Sequence, residues 1–214
     1  SYYNVEWPWG YKETDRLGGK DIYSGSKAAA DTLIESYFHT YLKNKSNVKI
    51  AVGRAGNVIG GGDWAKDRIV VDCMIAWSKN IKVEIRSPFA TRPWQHVLEP
   101  ISGYLTLGSQ LNESINGEAF NFGPNSSMSK SVLDLIRSLG ENWKKNDSEL
   151  YTVSENSTPF IESKLLKLNC DKALFYLKWE STLDFEFTYN FVSEWYHKFY
   201  HDKIKMHEFT VTQI

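Results

Sequence analysis

Tyr23 and Lys27 stand four residues apart in Asp21-Ile22-Tyr23-Ser24-Gly25-Ser26-Lys27, at the head of a segment that reads as helix. That spacing is one helical turn, so the ammonium can act on the phenol. Tyrosine is a poor base near neutral pH, but a neighbouring positive charge favours its anion. The phenolate can then take a hydroxyl proton while hydride leaves the same carbon. Tyr-x-x-x-Lys alone occurs by chance on many surface helices, so context decides its meaning. A base of this kind is useful beside a hydride acceptor, and the 22 residues before Tyr23 cannot hold a nucleotide. The chain therefore reads as the later part of an enzyme.

The elements that must position this pair alternate between helix and strand. Ala30, Leu33, Ile34, Tyr37, Phe38, Tyr41 and Leu42 keep helical spacing. Val48–Val52 is β-branched and predicts a strand feeding the glycine-rich run 53–62, a common place for ligands in α/β sheets. Ile69, Val70, Cys73, Met74 and Trp77 predict a second helix, and residues 82–86 a short strand. Pro100 fits the first turn of a helix through Leu107. Asn116-Gly117 predicts a turn before the strand 118–122, and Val132, Leu133, Leu135, Ile136 and Leu139 a helix ending at Gly140. Leu165, Leu166 and Leu168 suggest a strand. Leu183, Phe187, Phe191, Trp195 and Phe199 form an i, i+4 stripe expected to face the core. The pattern is that of an α/β protein without internal repeats.

Composition narrows the partners. With 214 residues, 42% of them apolar and 14% aromatic, the chain can build a real core. A net charge of −1 argues against a broad basic face for nucleic acid, and small anions fit better. Cys73 and Cys170 are too few for a disulfide framework and read as buried free thiols in a reducing compartment. No apolar run is long enough to span a bilayer, so a cytoplasmic location is expected. The five histidines show no metal-ligand spacing with the cysteines, and no metal is expected.

Three segments together carry a family likeness. Residues 21–27 are similar to the D-P-Y-S-x-S-K segment of extended short-chain dehydrogenase/reductases. Arg54-Ala55-Gly56-Asn57-Val58-Ile59-Gly60-Gly61-Gly62-Asp63-Trp64-Ala65 and Arg92-Pro93-Trp94-Gln95-His96-Val97-Leu98-Glu99-Pro100 closely resemble segments of CDP-glucose 4,6-dehydratases, in the same order and at the same spacing. Shorter likenesses at Tyr3–Trp7, Trp9–Tyr11, Asn121–Pro124, Leu166–Leu168 and Met206–Glu208 extend over essentially the whole chain. Two positions depart from the pattern next to functional segments: Ile22 and Val71 stand where the family has proline. Near the C-terminus Ile161 replaces a frequent histidine before Glu162.

The resemblance implies the later part of a doubly wound Rossmann-type NAD domain over residues 1–54. Residues 55–214 would form mainly a smaller α/β sugar-nucleotide domain, with some segments returning to the Rossmann sheet. It implies NAD as a regenerated cofactor and CDP-glucose as substrate, with oxidation at C4, loss of water across C5–C6 and hydride return to C6. Tyr23 and Lys27 would be catalytic and would also contact the nicotinamide ribose. Asn57 would touch cofactor or substrate, and Arg68, Arg92, Asn121 and Glu162 would hold the sugar nucleotide. A turn-forming Asn57, a structural ion pair for Arg92, the start of a solvated helix for Arg68 and an exposed loop carboxylate for Glu162 are the competing readings. The family's Gly-rich phosphate-binding turn and the acid of its T-D-K run belong before Ser1, and Gly60–Gly62 cannot replace that turn. The chain alone is thus expected to be inactive, and the intact enzyme to be a homodimer built partly on the Tyr23 helix. Trp64 reads either as packing or as a stack on a base or sugar, and His96 is expected to make a structural hydrogen bond to a neighbouring loop rather than to be catalytic. An epimerase or reductase on the same scaffold, or a noncatalytic nucleotide-sugar-binding segment, are the alternatives.

Overall fold

The computed structural model describes residues 1–45, 47–125, 128–154, 164–202 and 204–214. Its first helix, α1 (Ile22–Tyr37), begins where Asp21 holds an extended backbone and its Oδ1 accepts the Ser24 N–H at 2.8 Å. A side-chain acceptor there satisfies one of the free N–H groups of the first turn. The helix exits through a wider π-type turn, Phe38–Leu42, where the Lys43 N–H reaches back to the Phe38 carbonyl. Although the apolar spacing marks this helix correctly, none of its residues is buried. Leu33, Tyr37 and the following Tyr41 remain 68%, 54% and 59% exposed.

Strand β1 (Val52–Ala55) runs parallel to β6 (Ala119–Phe122), with Arg54 opposite Asn121. The predicted strand thus lies later than its β-branched run, because pairing with β6 begins only at Val52. Next come β2 (Asn57–Ile59), α2 (Ile69–Ser78), β3 (Val83–Ile85), β4 (Thr91–Arg92), β5 (Trp94–His96) and α3 (Leu98–Gln110). After β6 follow β7 (Lys130–Ser131), α4 (Val132–Glu141), the short α5 (Asp147–Leu150), β8 (Tyr151–Val153), α6 (Asp171–Leu177), α7 (Phe185–His201) and α8 (Met206–Gln213). Two further pairs are parallel, β2 with β5 and β3 with β8, while β4 and β7 are antiparallel. Leu165 and Leu168 make single bridges rather than the strand expected of them.

Among the described residues three apolar clusters result, the smallest of them Tyr2, Tyr11 and Leu168. An intermediate one joins Phe120 and Phe122 of β6 to Leu107 of α3 and Ala173 and Leu177 of α6. The largest gathers α2, α4 and α7 around Trp77, Leu135, Ile136, Leu139, Val192 and Tyr196. Along α7, Trp195 is buried as expected, but Phe187 and Phe199 stay 56% and 43% exposed. Among the described residues no helix is long and apolar enough to cross a membrane.

Candidate active site

Asp21 caps α1 so that Tyr23 and Lys27 fall on its first two turns. The Lys27 Nζ lies 5.6 Å from the centre of the Tyr23 ring, within range of a cation–π contact. Both side chains are open to solvent. A phenol hydroxyl and an ammonium set side by side on an exposed helical face can donate to vicinal hydroxyls and exchange a proton with a third.

Ile22, at the first helical position, is 92% exposed. Proline suits that position because its N–H would lack a helical partner in any case, and the extended Asp21 (φ −121°, ψ 159°) is the conformation a following proline requires. Ile22→Pro is therefore expected to stabilise the chain by about 0.4–1 kcal/mol through the unfolded state. A thermal unfolding midpoint that falls instead would show that the first turn does not accept the ring.

Asn57 opens β2 and pairs with Trp94 on β5, two residues after Arg92. Beyond β2 the glycine loop presses onto α7: a Cβ on Gly61 would lie 2.2 Å from Trp195, and Gly62 holds φ +80°. Those glycines serve close approach and a left-handed turn. Trp64 packs on Trp195, Tyr196, Phe199 and Tyr200. Arg68 sits at the N-cap of α2 and pairs with Asp63, leaving 61% of its side chain exposed. Arg92 is buried, with Nη1 donating to the Thr91 carbonyl at 2.9 Å.

His96 is buried and its Nδ1 accepts the Leu98 N–H at 3.3 Å, a bond to the first residue of α3 rather than to the neighbouring loop expected for it. Burial pushes its pKa down to about 4, so the ring is neutral at physiological pH. Cys73 is buried, whereas Cys170 is only partly so, and burial pushes the Cys170 thiol up to about 12.

Asn121 answers differently from its expected role. Its Nδ2 donates to the carbonyls of Tyr11 (2.9 Å) and Asn169 (3.0 Å), and its Oδ1 accepts from the Tyr2 hydroxyl at 2.6 Å. Fully buried, it spends its amide on the fold rather than on a ligand. Glu162 lies outside the described residues. The structure thus unites Tyr23 with Lys27 and sets Asn57 opposite Trp94, two residues after Arg92, while the cleft at Gly123–Asn125 and the start of α6 is lined by none of the predicted residues. Among the described residues no cluster of three or more His, Cys, Asp or Glu side chains could hold a metal.

Sequence reasoning missed an ion pair beside the Tyr23 helix. Arg54 forks onto Asp31 through Nε (3.1 Å) and Nη2 (3.0 Å), and its Nη1 reaches the Tyr2 hydroxyl (3.0 Å) and the Glu13 carbonyl (2.8 Å). Asp31 follows Tyr23 and Lys27 at i+8 and i+4, but nothing in that spacing points to Arg54 as its partner.

No protein-family model matches the chain. It is 39% identical over 202 residues to the CDP-glucose 4,6-dehydratase of Salmonella typhimurium, which covers 91% of this chain and 55% of that protein. A dTDP-glucose 4,6-dehydratase from Bacillus anthracis, solved with NAD, superposes with a TM-score of 0.73 at 21% identity, over 89% of this chain and 56% of the other. UDP-glucuronic acid 4-epimerase from Bacillus cereus, solved with UDP-glucuronic acid and NAD, gives 0.76 at 17% identity over 89% and 57%. The chain spans little more than half the length of these relatives. Over the part it spans, it has the Rossmann-type α/β fold of nucleotide-sugar dehydratases and epimerases, and its sequence is related to that of a CDP-glucose 4,6-dehydratase.

Proposed function

We propose that the polypeptide containing this chain dehydrates CDP-glucose to CDP-4-keto-6-deoxyglucose with NAD as a regenerated cofactor. The observation that carries this reading is the Tyr23–Lys27 pair at the capped head of α1, in a chain 39% identical to a CDP-glucose 4,6-dehydratase. The donor set fits a nicotinamide ribose, since both groups are exposed and both can donate to hydroxyls. When bound, NAD supplies a hydride acceptor at C4 of the glucose unit and returns the hydride at C6.

The remaining work belongs to side chains. As the phenolate, Tyr23 takes the O4 proton and becomes neutral, and Lys27 stabilises the phenolate that precedes this transfer. The resulting ketone makes the C5 proton acidic, which permits loss of the C6 hydroxyl as water, and a proton added at C5 balances the hydride returned to C6. An acid and a base for that step are assigned to the part of the dehydratase that this chain does not span. Arg92 and Arg68 are assigned to the diphosphate, where a guanidinium can form paired bonds, and Asn57 to orienting the sugar or cofactor. For Arg68 this means exchanging Asp63 for phosphate. Residues 1–54 are assigned to the NAD-binding half and residues 55–214 mainly to the sugar nucleotide. The exposed apolar side of α1 is assigned to a second copy, so the intact protein should sediment as a dimer; a monomer would remove that assignment.

The test supplies the intact protein with NAD and, in turn, CDP-, dTDP- and GDP-linked hexoses, and follows products by proton and carbon NMR. CDP-glucose should lose its C6 hydroxymethyl signals and gain a methyl group and a C4 carbonyl. Epimerised sugar, or no 4-ketosugar from CDP-glucose, would overturn the reading.

A further inference from the structure

We propose that the Arg54–Asp31 pair is a positioning device that sets α1, and with it Tyr23 and Lys27, against the β1–β6 sheet. Its catalytic consequence rests on the function proposed above; its mechanical part stands on geometry alone.

Three observations converge. First, Tyr23, Lys27 and Asp31 occupy successive turns of one helix, so fixing Asp31 fixes the azimuth and height of the other two. Second, α1 itself buries none of its residues and the buried Phe38 anchors only its C-terminal exit, so apolar burial does not fix the end that bears Tyr23 and Lys27. Third, the ion pair is a two-bond fork whose side chains are only 14% and 12% exposed, which resists rotation as a single bond does not.

The fork does not end at Arg54. Its third nitrogen holds the Tyr2 hydroxyl and the Glu13 carbonyl, Tyr2 donates to Asn121 Oδ1, and the Asn121 backbone N–H donates to Glu13 Oε1 at 2.7 Å. Burial raises the Tyr2 pKa, which keeps its phenol protonated as a donor. Arg54 and Asn121 face each other across the β1–β6 pair. A continuous polar path therefore links the helix bearing the proton-transfer pair to both strands of this sheet. Asp31 and Arg54 touch no reacting atom; they act through Tyr23 and Lys27.

The discriminating experiment compares Asp31→Asn, Asp31→Glu and Arg54→Lys with the unaltered protein. Substitutions that leave the Arg54 guanidinium with no partner at all are avoided, because they test folding. In Asp31→Asn the fork loses its charge and one acceptor, and kcat for CDP-glucose should fall about 10–100-fold with KM changed less than about twofold, as expected for sub-ångström misplacement of reacting groups. Asp31→Glu, which restores a carboxylate, should recover part of the loss, and Arg54→Lys, a point charge without the fork, should resemble Asp31→Asn. Hydrogen exchange should quicken across residues 22–37 while the amides of β6 keep their protection. Unchanged kcat and unchanged α1 exchange would overturn the proposal. So would a uniform rise in exchange with kcat and KM altered together, the signature of a merely structural bond. If the unaltered protein does not process CDP-glucose, the function reading fails, while exchange confined to α1 still decides the positioning claim.

Discussion

Tyr23→Phe in the intact enzyme is expected to lower kcat for CDP-glucose by about 10²–10⁴-fold, the range associated with removing a positioned proton-transfer group. The substitution deletes one oxygen from a side chain that is 67% exposed, so it creates no cavity and little folding cost. The phenyl ring keeps its place under the Lys27 amine, which preserves the cation–π contact at 5.6 Å. Affinity for the sugar nucleotide should change little, because Arg92, Arg68 and Asn57 lie on other elements. Calorimetric binding of CDP-glucose, paired with single-turnover kinetics, separates the two quantities. Turnover equal to that of the unaltered protein would show that another group takes the O4 proton. Equal loss of binding and rate would show that the hydroxyl binds rather than reacts.

How far the sequence reveals this arrangement depends on whether a signal is local. Ile69, Val70, Cys73, Met74 and Trp77 predict α2 correctly because one face of ten residues supplies its own burial. The Ser131 cap with Asp134 three residues later frames α4 just as locally. Strand β1 is another matter: its limits follow β6, 67 positions away, and nothing between Val48 and Val52 announces that partner. The α7 stripe fails for a geometric reason. Each i to i+4 step advances about 40° around a helix with 3.6 residues per turn, so Phe187, Phe191, Trp195 and Phe199 together sweep about 120°. One end of such a row must leave the core, and here both Phe187 and Phe199 do. At the site, Tyr23 and Lys27 are legible because they share a turn. Asp31 and Arg54 are not, because their meeting depends on how α1 crosses β1. Asn121 was legible as a polar residue in a strand but not as a buried junction, since its three partners come from Tyr2, Tyr11 and Asn169.

The largest stability loss is expected from Trp77→Ala. Trp77 is 1% exposed at the centre of the largest core, with its ring 5.9 Å from that of Trp143 and its Nε1 donating to the Leu150 carbonyl at 2.9 Å. Truncation of a buried tryptophan costs about 3–5 kcal/mol, and the stranded carbonyl adds about 1–3 kcal/mol unless water reaches it. Against a total stability of about 5–15 kcal/mol this is enough to unfold a substantial fraction of the molecules at ambient temperature. Trp77→Phe separates the two contributions, because it keeps most of the ring volume and removes the N–H; its loss should be clearly smaller than that of Trp77→Ala. Urea unfolding midpoints of both variants measure the difference. The effect also bears on the site. Arg68 caps the helix that Trp77 anchors, so loosening α2 should weaken CDP-glucose binding. By contrast, α1 is held by the Arg54–Asp31 fork outside this core, and its hydrogen-exchange protection should fall less than that of α2 in conditions where most molecules remain folded. A loss below about 1 kcal/mol for Trp77→Ala would mean that the α2–α4–α7 core can collapse around the missing ring. Equal loss of protection in α1 and α2 would mean that the two regions unfold as one unit.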